Sequence, residues 1–246
     1  MPKLMDTTMD QLNTASNYKF SAVKVDELGA SEYTLVTIAQ DASGSVSAFK
    51  ADMENCLKTI LASCKKSPKA ENLMMRLISF SDNLQELHGF KLLDTVNDTD
   101  YDNILNIGGY TALFDAVQSS VEATAQYSEI LREQDFLCNA IVFIVTDGDD
   151  NASRATANSV KKAIAAAVKS EVLESLTVVL VGVNTGDNMI ADRLQDFQKQ
   201  ADITQYVDIG TATAGKLAKL ANFVSQSISS TSQALGSGSA SQLLTF

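Results

Sequence analysis

Three short polar segments of this chain carry oxygen-bearing side chains at spacings suited to holding a hard cation. Asp41, Ser43 and Ser45 occupy every second position of the first segment. The second segment ends in Thr111, shortly after a pair of glycines, and the third contains Asp147. Mg²⁺ prefers oxygen ligands in an octahedral shell. These five residues are therefore candidate metal ligands, in which two aspartates supply charge and three hydroxyls add neutral oxygens.

Alternating strand and helix patterns place these segments at the ends of predicted strands. Residues 33–40 and 140–146 are apolar runs rich in β-branched residues, which is typical of strands buried on both faces. Apolar residues recur at helical spacing in 46–65 and in 111–127. Because ligands collect at the carboxyl ends of strands in an open α/β sheet, we expect the three polar segments to meet there.

The remaining patterns predict a three-layer α/β/α, Rossmann-like fold. Its central sheet should be mostly parallel, with about six strands and one antiparallel edge strand. That edge strand should come from a hairpin of residues 73–80 and 85–92. Later elements are predicted at 153–170 (helix), 176–183 (strand), 188–200 (helix), 205–209 (strand) and 216–232 (helix).

Three regions of different composition follow each other along the chain. Residues 1–30 are polar and mixed, and we expect them to form a lead-in that packs beside the domain. The domain itself is predicted at 31–233. Residues 234–246 form a Gly/Ser-rich tail with an apolar end, which is typical of a flexible linker. That end could dock on the domain, or support self-association with another chain.

The charge and cysteine content exclude several classes of partner. The formal net charge of −11 disfavours binding to nucleic acid or to anionic membranes. No apolar run indicates a signal peptide or a transmembrane segment. Three cysteines without a Cys-x-x-Cys pair suggest buried thiols in a reducing compartment. We therefore expect a cytoplasmic protein.

The three polar segments resemble motifs of the von Willebrand factor A family in order and spacing, over about residues 33–230. Residues 41–45 (DASGS) resemble its Asp-x-Ser-x-Ser loop. Residues 108–116 (GGYTALFDA) resemble its Gly-Gly-Thr-Ala-Leu segment, with Tyr110 inserted before the threonine. Residues 145–151 (VTDGDDN) resemble its Thr-Asp-Gly segment. The chain looks like an intracellular member of bacterial or phage type.

This resemblance implies an intact metal-ion-dependent adhesion site and a fold of the von Willebrand factor A type. Hydroxyls of Ser43, Ser45 and Thr111 would bind Mg²⁺ or Mn²⁺ directly, with Asp41 and Asp147 in a water-mediated or outer role. The implied function is a metal-dependent protein–protein interaction module. The cation would coordinate an Asp or Glu of a partner, and the module would act as a scaffold or adaptor.

Enzymatic chemistry finds little support among the residues. The only histidine, His88, lies in the predicted hairpin, so no Ser-His or Cys-His nucleophile pair can form near the first segment. An aspartate nucleophile would need a second carboxylate two residues later, and that residue is Ser43. We therefore expect a binding protein and not an enzyme.

Several alternatives stay open. A metal-assisted phosphoester hydrolase is conceivable, because Asp149 and Asp150 add acid near the site. A structural assembly subunit would use the apolar tail. Asp41 and Ser43 could simply cap the following helix. Residues 210–217 nearly spell a P-loop but end in leucine, which favours a turn whose Thr213 caps the last helix.

Overall fold

The computed structural model describes residues 8–183, 188–235 and 244–246. Within these residues one sheet is flanked by helices. Its strands are β1 (Met9–Asn13), β2 (Lys19–Val23), β3 (Glu32–Asp41), β4 (Leu73–Phe80), β5 (Leu84–Leu92), β6 (Leu137–Thr146), β7 (Leu176–Gly182) and β8 (Gln205–Asp208). The α-helices are α1 (Lys50–Cys64), α2 (Leu113–Arg132), α3 (Ala157–Lys169), α4 (Asn188–Gln200) and α5 (Ala214–Ala234).

The sheet is mostly parallel, as the sequence predicts. Its eight described strands follow the order β1-β2-β5-β4-β3-β6-β7-β8. The five strands from β4 to β8 in that order are parallel to one another, whereas β5 runs antiparallel to β4 and β1 antiparallel to β2. The predicted α/β fold class is confirmed, including the antiparallel β4–β5 hairpin.

Buried side chains on both faces of β6 explain why its sequence shows no alternation. Ile141, Phe143 and Val145 join an apolar cluster that includes residues of α1 and α5. Val142 and Ile144 point to the opposite face and join residues of α2, α3 and α4. Because both faces are covered by helices, the strand needs apolar residues at every position. The result is the predicted three-layer arrangement.

The sheet has two more strands than the predicted six, because the described part of the lead-in contributes β1 and β2. As a result β5 is antiparallel but is not the edge strand, since β2 lies beside it with Ala22 opposite Phe90. Gly89 permits this approach, because a Cβ there would lie 2.0 Å from the Ser21 carbonyl oxygen. The Phe90 ring then stacks on Tyr127 of α2, with ring centroids 5.2 Å apart.

The described end of the tail packs on its own chain. Gln205 Nε2 donates a hydrogen bond to the Leu244 carbonyl oxygen at 2.8 Å. The Phe246 ring meets Phe223 of α5 edge-on, with centroids 5.8 Å apart. Residues 236–243, which hold most of the predicted linker, lie outside the described residues. In the described ranges, no helix has both the length and the apolar character needed to cross a membrane.

Candidate metal site

Asp41 ends β3 and is completely buried. Its Oδ1 accepts a hydrogen bond from the Ser43 backbone N–H at 2.8 Å, and its Oδ2 accepts one from Thr146 Oγ1 at 2.6 Å. Ser43 precedes a 3₁₀ helix, Gly44–Phe49, but makes no side-chain capping bond to it. The carboxylate is therefore oriented by its own loop and by β6, and the helix-capping alternative has no support in this geometry.

A chain of hydroxyl contacts leads from the buried loop towards the surface. Ser43 Oγ lies 3.1 Å from Ser45 Oγ, and Ser45 Oγ donates to Asp147 Oδ1 at 2.8 Å. Ser43 and Asp147 are buried, whereas Ser45 is exposed. Oxygen atoms from the segments that follow β3 and β6 thus form a continuous cluster that reaches solvent at one end.

Backbone hydrogen bonds join the first segment to the glycine pair. Gly44 N–H donates to the Gly109 carbonyl at 3.2 Å, and Gly108 N–H donates to the Ala42 carbonyl at 2.9 Å. Gly109 has φ +81°, and a Cβ there would lie 2.0 Å from Asp82 Oδ2. Only glycine fits this position without strain, because both the backbone conformation and the space oppose a side chain.

Thr111 is fixed by the third segment. Its backbone N–H donates to Asn151 Oδ1 at 2.7 Å, and its carbonyl accepts from the Asn151 and Ala152 N–H groups at 3.0 and 3.2 Å. Its Oγ1 lies 3.7 Å from the position that a Cβ on Gly148 would take. The Thr111 hydroxyl therefore lies beside the segment that contains Asp147. All five predicted ligands gather at the carboxyl edge of the sheet.

Two carboxylates, Asp41 and Asp147, are buried close together at this edge. Burial raises the pKa of Asp41, although hydrogen bonds from Thr146 and Ser43 oppose the shift. Burial, and then the negative charge of Asp41, raises the pKa of Asp147 to about 6, against the hydrogen bond from Ser45. Among the described residues neither aspartate forms an ion pair with Lys or Arg. A bound cation would relieve this repulsion.

The donor set fits a hard divalent cation such as Mg²⁺ or Mn²⁺. It combines two carboxylates with three hydroxyls, all oxygen ligands of the kind these ions prefer. Across the described ranges there is no cluster of three or more His, Cys, Asp or Glu side chains suited to a metal. The candidate site thus depends on serine and threonine hydroxyls, which the sequence segments already contain.

Supporting residues complete the site, and sequence reasoning assigned none of them to it. Thr146 holds Asp41, Asn151 holds Thr111, and Asp82 Oδ1 accepts from the Tyr110 N–H at 3.0 Å. Thr146 and Asn151 lie within the third segment, so their proximity in sequence was the available signal. Asp82 lies in the hairpin turn, and nothing in the sequence linked it to the glycine pair.

The two further acidic residues of the third segment have structural partners. Asp149 forms an ion pair with Arg193 of α4 at 3.0 Å. Asp150 Oδ1 accepts from the Phe114 N–H at 3.2 Å in the first turn of α2. A carboxylate at a helix N-terminus stabilises the helix through unpaired N–H groups and the helix dipole. Both residues therefore have a role in packing the loop against its neighbours.

Two other motifs have structural contacts of their own. Thr213 Oγ1 accepts from the Lys216 N–H at 3.3 Å and caps α5, as predicted for the P-loop-like segment. His88 is half-buried on β5, stacked on Tyr101 with centroids 5.8 Å apart. Its Nε2 lies 2.9 Å from the Tyr101 hydroxyl. The imidazole is thus engaged in packing against Tyr101.

Comparison with known proteins identifies the fold. No protein-family model matches the sequence, and no curated protein matches it. The PilB minor pilin from Streptococcus sanguinis is 16% identical with a TM-score of 0.58, over 87% of this chain and 65% of that chain. Proximal thread matrix protein 1 from the mussel byssus, with a zinc-occupied MIDAS motif, is 22% identical with a TM-score of 0.53, over 80% and 46%.

A third similar structure is the pilus adhesin SpaC from Lactobacillus rhamnosus GG. It is 13% identical with a TM-score of 0.58, over 86% of this chain and 32% of that chain. The chain thus spans less than two thirds of the length of each of these structures. At these identities the similarity shows the fold alone. The chain has a von Willebrand factor A-like α/β fold.

Proposed function

We propose that this chain is a metal-dependent protein-binding module that joins a partner's Asp or Glu side chain through one Mg²⁺ or Mn²⁺. A bound cation supplies a Lewis-acidic centre that accepts a carboxylate oxygen from outside. The observation that carries the proposal is the pair of buried carboxylates, Asp41 and Asp147. They are linked through the Ser43 backbone N–H and the hydroxyls of Ser43 and Ser45, and the link reaches the surface at Ser45.

The contacts suggest a different role for each ligand. Both oxygens of Asp41 already accept hydrogen bonds, which suits an outer position that orients water and Ser43. Asp147 Oδ1 accepts from Ser45, so this carboxylate also suits a water-mediated role. The hydroxyls of Ser43, Ser45 and Thr111 are then the direct ligands. Three neutral ligands leave the charge on the ion available to attract an outside carboxylate.

Two kinds of similarity support the proposal. Proximal thread matrix protein 1 carries a zinc-occupied MIDAS motif, which suggests that this fold holds divalent ions. PilB and SpaC are a pilin and a pilus adhesin, which suggests a role in contacts between proteins. For this chain we propose a scaffold or adaptor role in a multiprotein complex.

Metal binding is tested directly with Mn²⁺, whose electron paramagnetic resonance signal separates free from bound ion. We expect one site in the wild-type chain, and at least tenfold weaker binding in Asp41→Ala and Ser43→Ala. Ser47→Ala is the matched control, because Ser47 is an exposed serine of the adjacent 3₁₀ helix. Equal Mn²⁺ affinity in the wild type and Asp41→Ala would contradict the site.

Partner binding is tested by capture from a native lysate. We expect a partner retained by wild type in Mg²⁺ and released by EDTA or by an excess of acetate, which competes as a carboxylate. Asp41→Ala should fail to retain it, and Ser47→Ala should behave like wild type. Retention that survives both EDTA and Asp41→Ala would rule out the metal bridge.

We propose binding and not catalysis as the role of the site. Ser43 occupies the position where a second catalytic carboxylate would be needed, and Asp149 is engaged with Arg193. A screen with p-nitrophenyl phosphate, with and without Mg²⁺, should give no turnover above background. Mg²⁺-dependent turnover that is lost in Asp41→Ala would instead favour the hydrolase alternative.

A further inference from the structure

Arg76 is a buried cation in the middle of β4, on the face covered by α2. Its side chain is 1% exposed and lies between Met74 and Ile78, which point to the same face. Nε donates to Glu86 Oε2 at 2.9 Å. Nη1 is fully buried and has no hydrogen-bond partner among the described residues. A buried charged donor without an acceptor is costly, so a site for an acceptor is implied.

Neighbouring groups do not provide that acceptor. Glu86 Oε1 accepts from both the N–H and the hydroxyl of Ser21, at 2.8 and 2.6 Å, so both carboxylate oxygens are engaged. The Phe20 ring lies with its centroid 5.9 Å from the guanidinium carbon of Arg76, and supplies a cation–π contact in place of an acceptor. Arg76 therefore keeps a donor to spare.

A cleft of about 370 Å³ lies beside the guanidinium. Its inner lining includes the buried side chains of Arg76, Ile78 and Ser119, and the exposed Lys19 lines it as well. Tyr18 lines the cleft too, and its hydroxyl donates to Asp115 Oδ1 at 2.9 Å. This volume is within the range of small-molecule sites, which combine apolar walls with a few polar groups.

The strand pairing explains why space remains here. β2 pairs with β5 at a single register position, Ala22 opposite Phe90. Lys19 and Phe20 precede that position and line the cleft together with Leu84 of β5 and Ser119 of α2. A gap between two strands and a helix is thus built into the topology.

We propose that this cleft binds a small monocarboxylate with an apolar body. The carboxylate would accept from the Arg76 guanidinium, and its body would pack against Tyr18 and Phe20. The lining contains two positive side chains, Lys19 and Arg76, and one negative side chain, Glu86. Its net charge is therefore positive, although the chain as a whole carries −11. Guanidinium groups suit carboxylates because their donors are planar and permanently charged.

Calorimetric titration with benzoate and with benzamide tests the site. These probes have the same shape, but only benzoate carries the charge. In EDTA, which removes the influence of the metal site, we expect saturable one-to-one binding of benzoate and at least tenfold weaker binding of benzamide. The proposal is overturned if benzoate shows no saturable binding, the result expected when water alone satisfies Nη1. It is also overturned if benzoate and benzamide bind with equal affinity.

Two variants test whether benzoate binds in this cleft. Ser119→Leu should fill the cleft and weaken benzoate binding at least tenfold, while leaving the Arg76–Glu86 pair intact. Lys19→Gln should weaken binding at least threefold relative to Lys66→Gln, an exposed lysine outside the cleft. Should Ser119→Leu not fold, the Lys19→Gln comparison decides, and equal affinities there overturn the proposal. Asp41→Ala should bind benzoate like wild type, which separates this cleft from the metal site.

Discussion

The Thr146 hydroxyl connects the first segment, through Asp41, with the third segment, through Gly148. Its Oγ1 donates to Asp41 Oδ2 at 2.6 Å and accepts from the Gly148 N–H at 3.2 Å. The buried end of β6 thereby fixes the distance between the first and third segments. A serine or threonine hydroxyl suits this role because it both donates and accepts.

Replacing Thr146 with valine should destabilise the protein by about 1–3 kcal/mol, because the shape is kept while the buried Asp41 carboxylate loses a donor. Urea unfolding in EDTA measures this change without a metal contribution. Thr177→Val on β7 is a control for the same substitution at a buried position outside the site. Equal losses in the two variants would contradict a special role for Thr146.

The contribution of His88 to folding stability should depend on pH. Burial lowers the pKa of His88 to about 4, against the effect of the bond to Gly89. The Gly89 carbonyl, 3.0 Å from Nδ1, can only accept, so Nδ1 carries the proton and Nε2 accepts from Tyr101. Since the unfolded chain has a histidine pKa near 6.5, the unfolded state binds the proton first. The stability that the neutral His88 ring contributes is fully present above pH 6.5 and is lost as the pH falls towards 4.

We expect His88→Gln to flatten the pH dependence of unfolding between pH 6.5 and 4. The wild type should lose about 1–2 kcal/mol more than the variant over this interval, a figure discounted for the partial exposure of the ring. Chemical denaturation at several pH values measures the difference. Parallel pH profiles for the two proteins would show that His88 does not retain its neutral form on folding.

At the scale of elements, the approach of β2 to β5 depends on one glycine. A Cβ on Gly89 would lie 2.0 Å from the Ser21 carbonyl oxygen and 2.1 Å from its hydroxyl. The Ser21 backbone could avoid this clash only if strand β2 moved. A substitution at Gly89 should therefore affect the pairing of β2 with β5, and with it the attachment of β1 and β2 to the rest of the sheet.

Gly89→Ala should release β2 from the sheet at a cost of more than about 2 kcal/mol. Hydrogen exchange should show faster exchange of β2 amides, with protection kept in the central strands β3 and β6. Gly29→Ala is the matched control, since a Cβ there meets nothing within 4 Å. Unchanged protection of β2 in Gly89→Ala would contradict the dependence on this close approach.

At the scale of the molecule, the metal proposal predicts a change in stability by mass action. A ligand that binds only the folded state adds about 2.7 kcal/mol at one hundred times its Kd. For a domain of this size, that corresponds to roughly 5–10 °C in Tm. We expect such a rise with saturating Mg²⁺ or Mn²⁺, and none in Asp41→Ala. A rise of the same size in the variant would place the stabilising ion elsewhere.

The three cysteines lie in the interior of the protein. Cys56, Cys64 and Cys138 are all free and buried. Burial raises the pKa of each thiol to about 12, so they are protonated at neutral pH and serve as core residues. A reducing compartment and a cytoplasmic location stay predictions.

The sequence alone determined the α/β class and most of the central strands. Buried parallel strands need apolar residues on both faces, and helices need the 3.6-residue period, so β3, β4, β6 and β7 are visible as patterns. The five candidate ligands are visible for a related reason. Asp41, Ser43, Ser45 and Asp147 lie at or just after the ends of two strands, and Thr111 lies just before a helix. The carboxyl ends of parallel strands lie at one edge of the sheet.

Only the tertiary structure decided where the lead-in goes and how the site is held together. β1 is half-exposed and polar, so nothing in its pattern marked it as a strand. β1 pairs with β2, and the place of β2 depends on its close approach to Gly89, a contact between residues far apart in sequence. The same is true of Asp82 beside Gly109 and of the spare donor on Arg76. Such features depend on distances between elements, which local patterns of hydrophobicity do not encode.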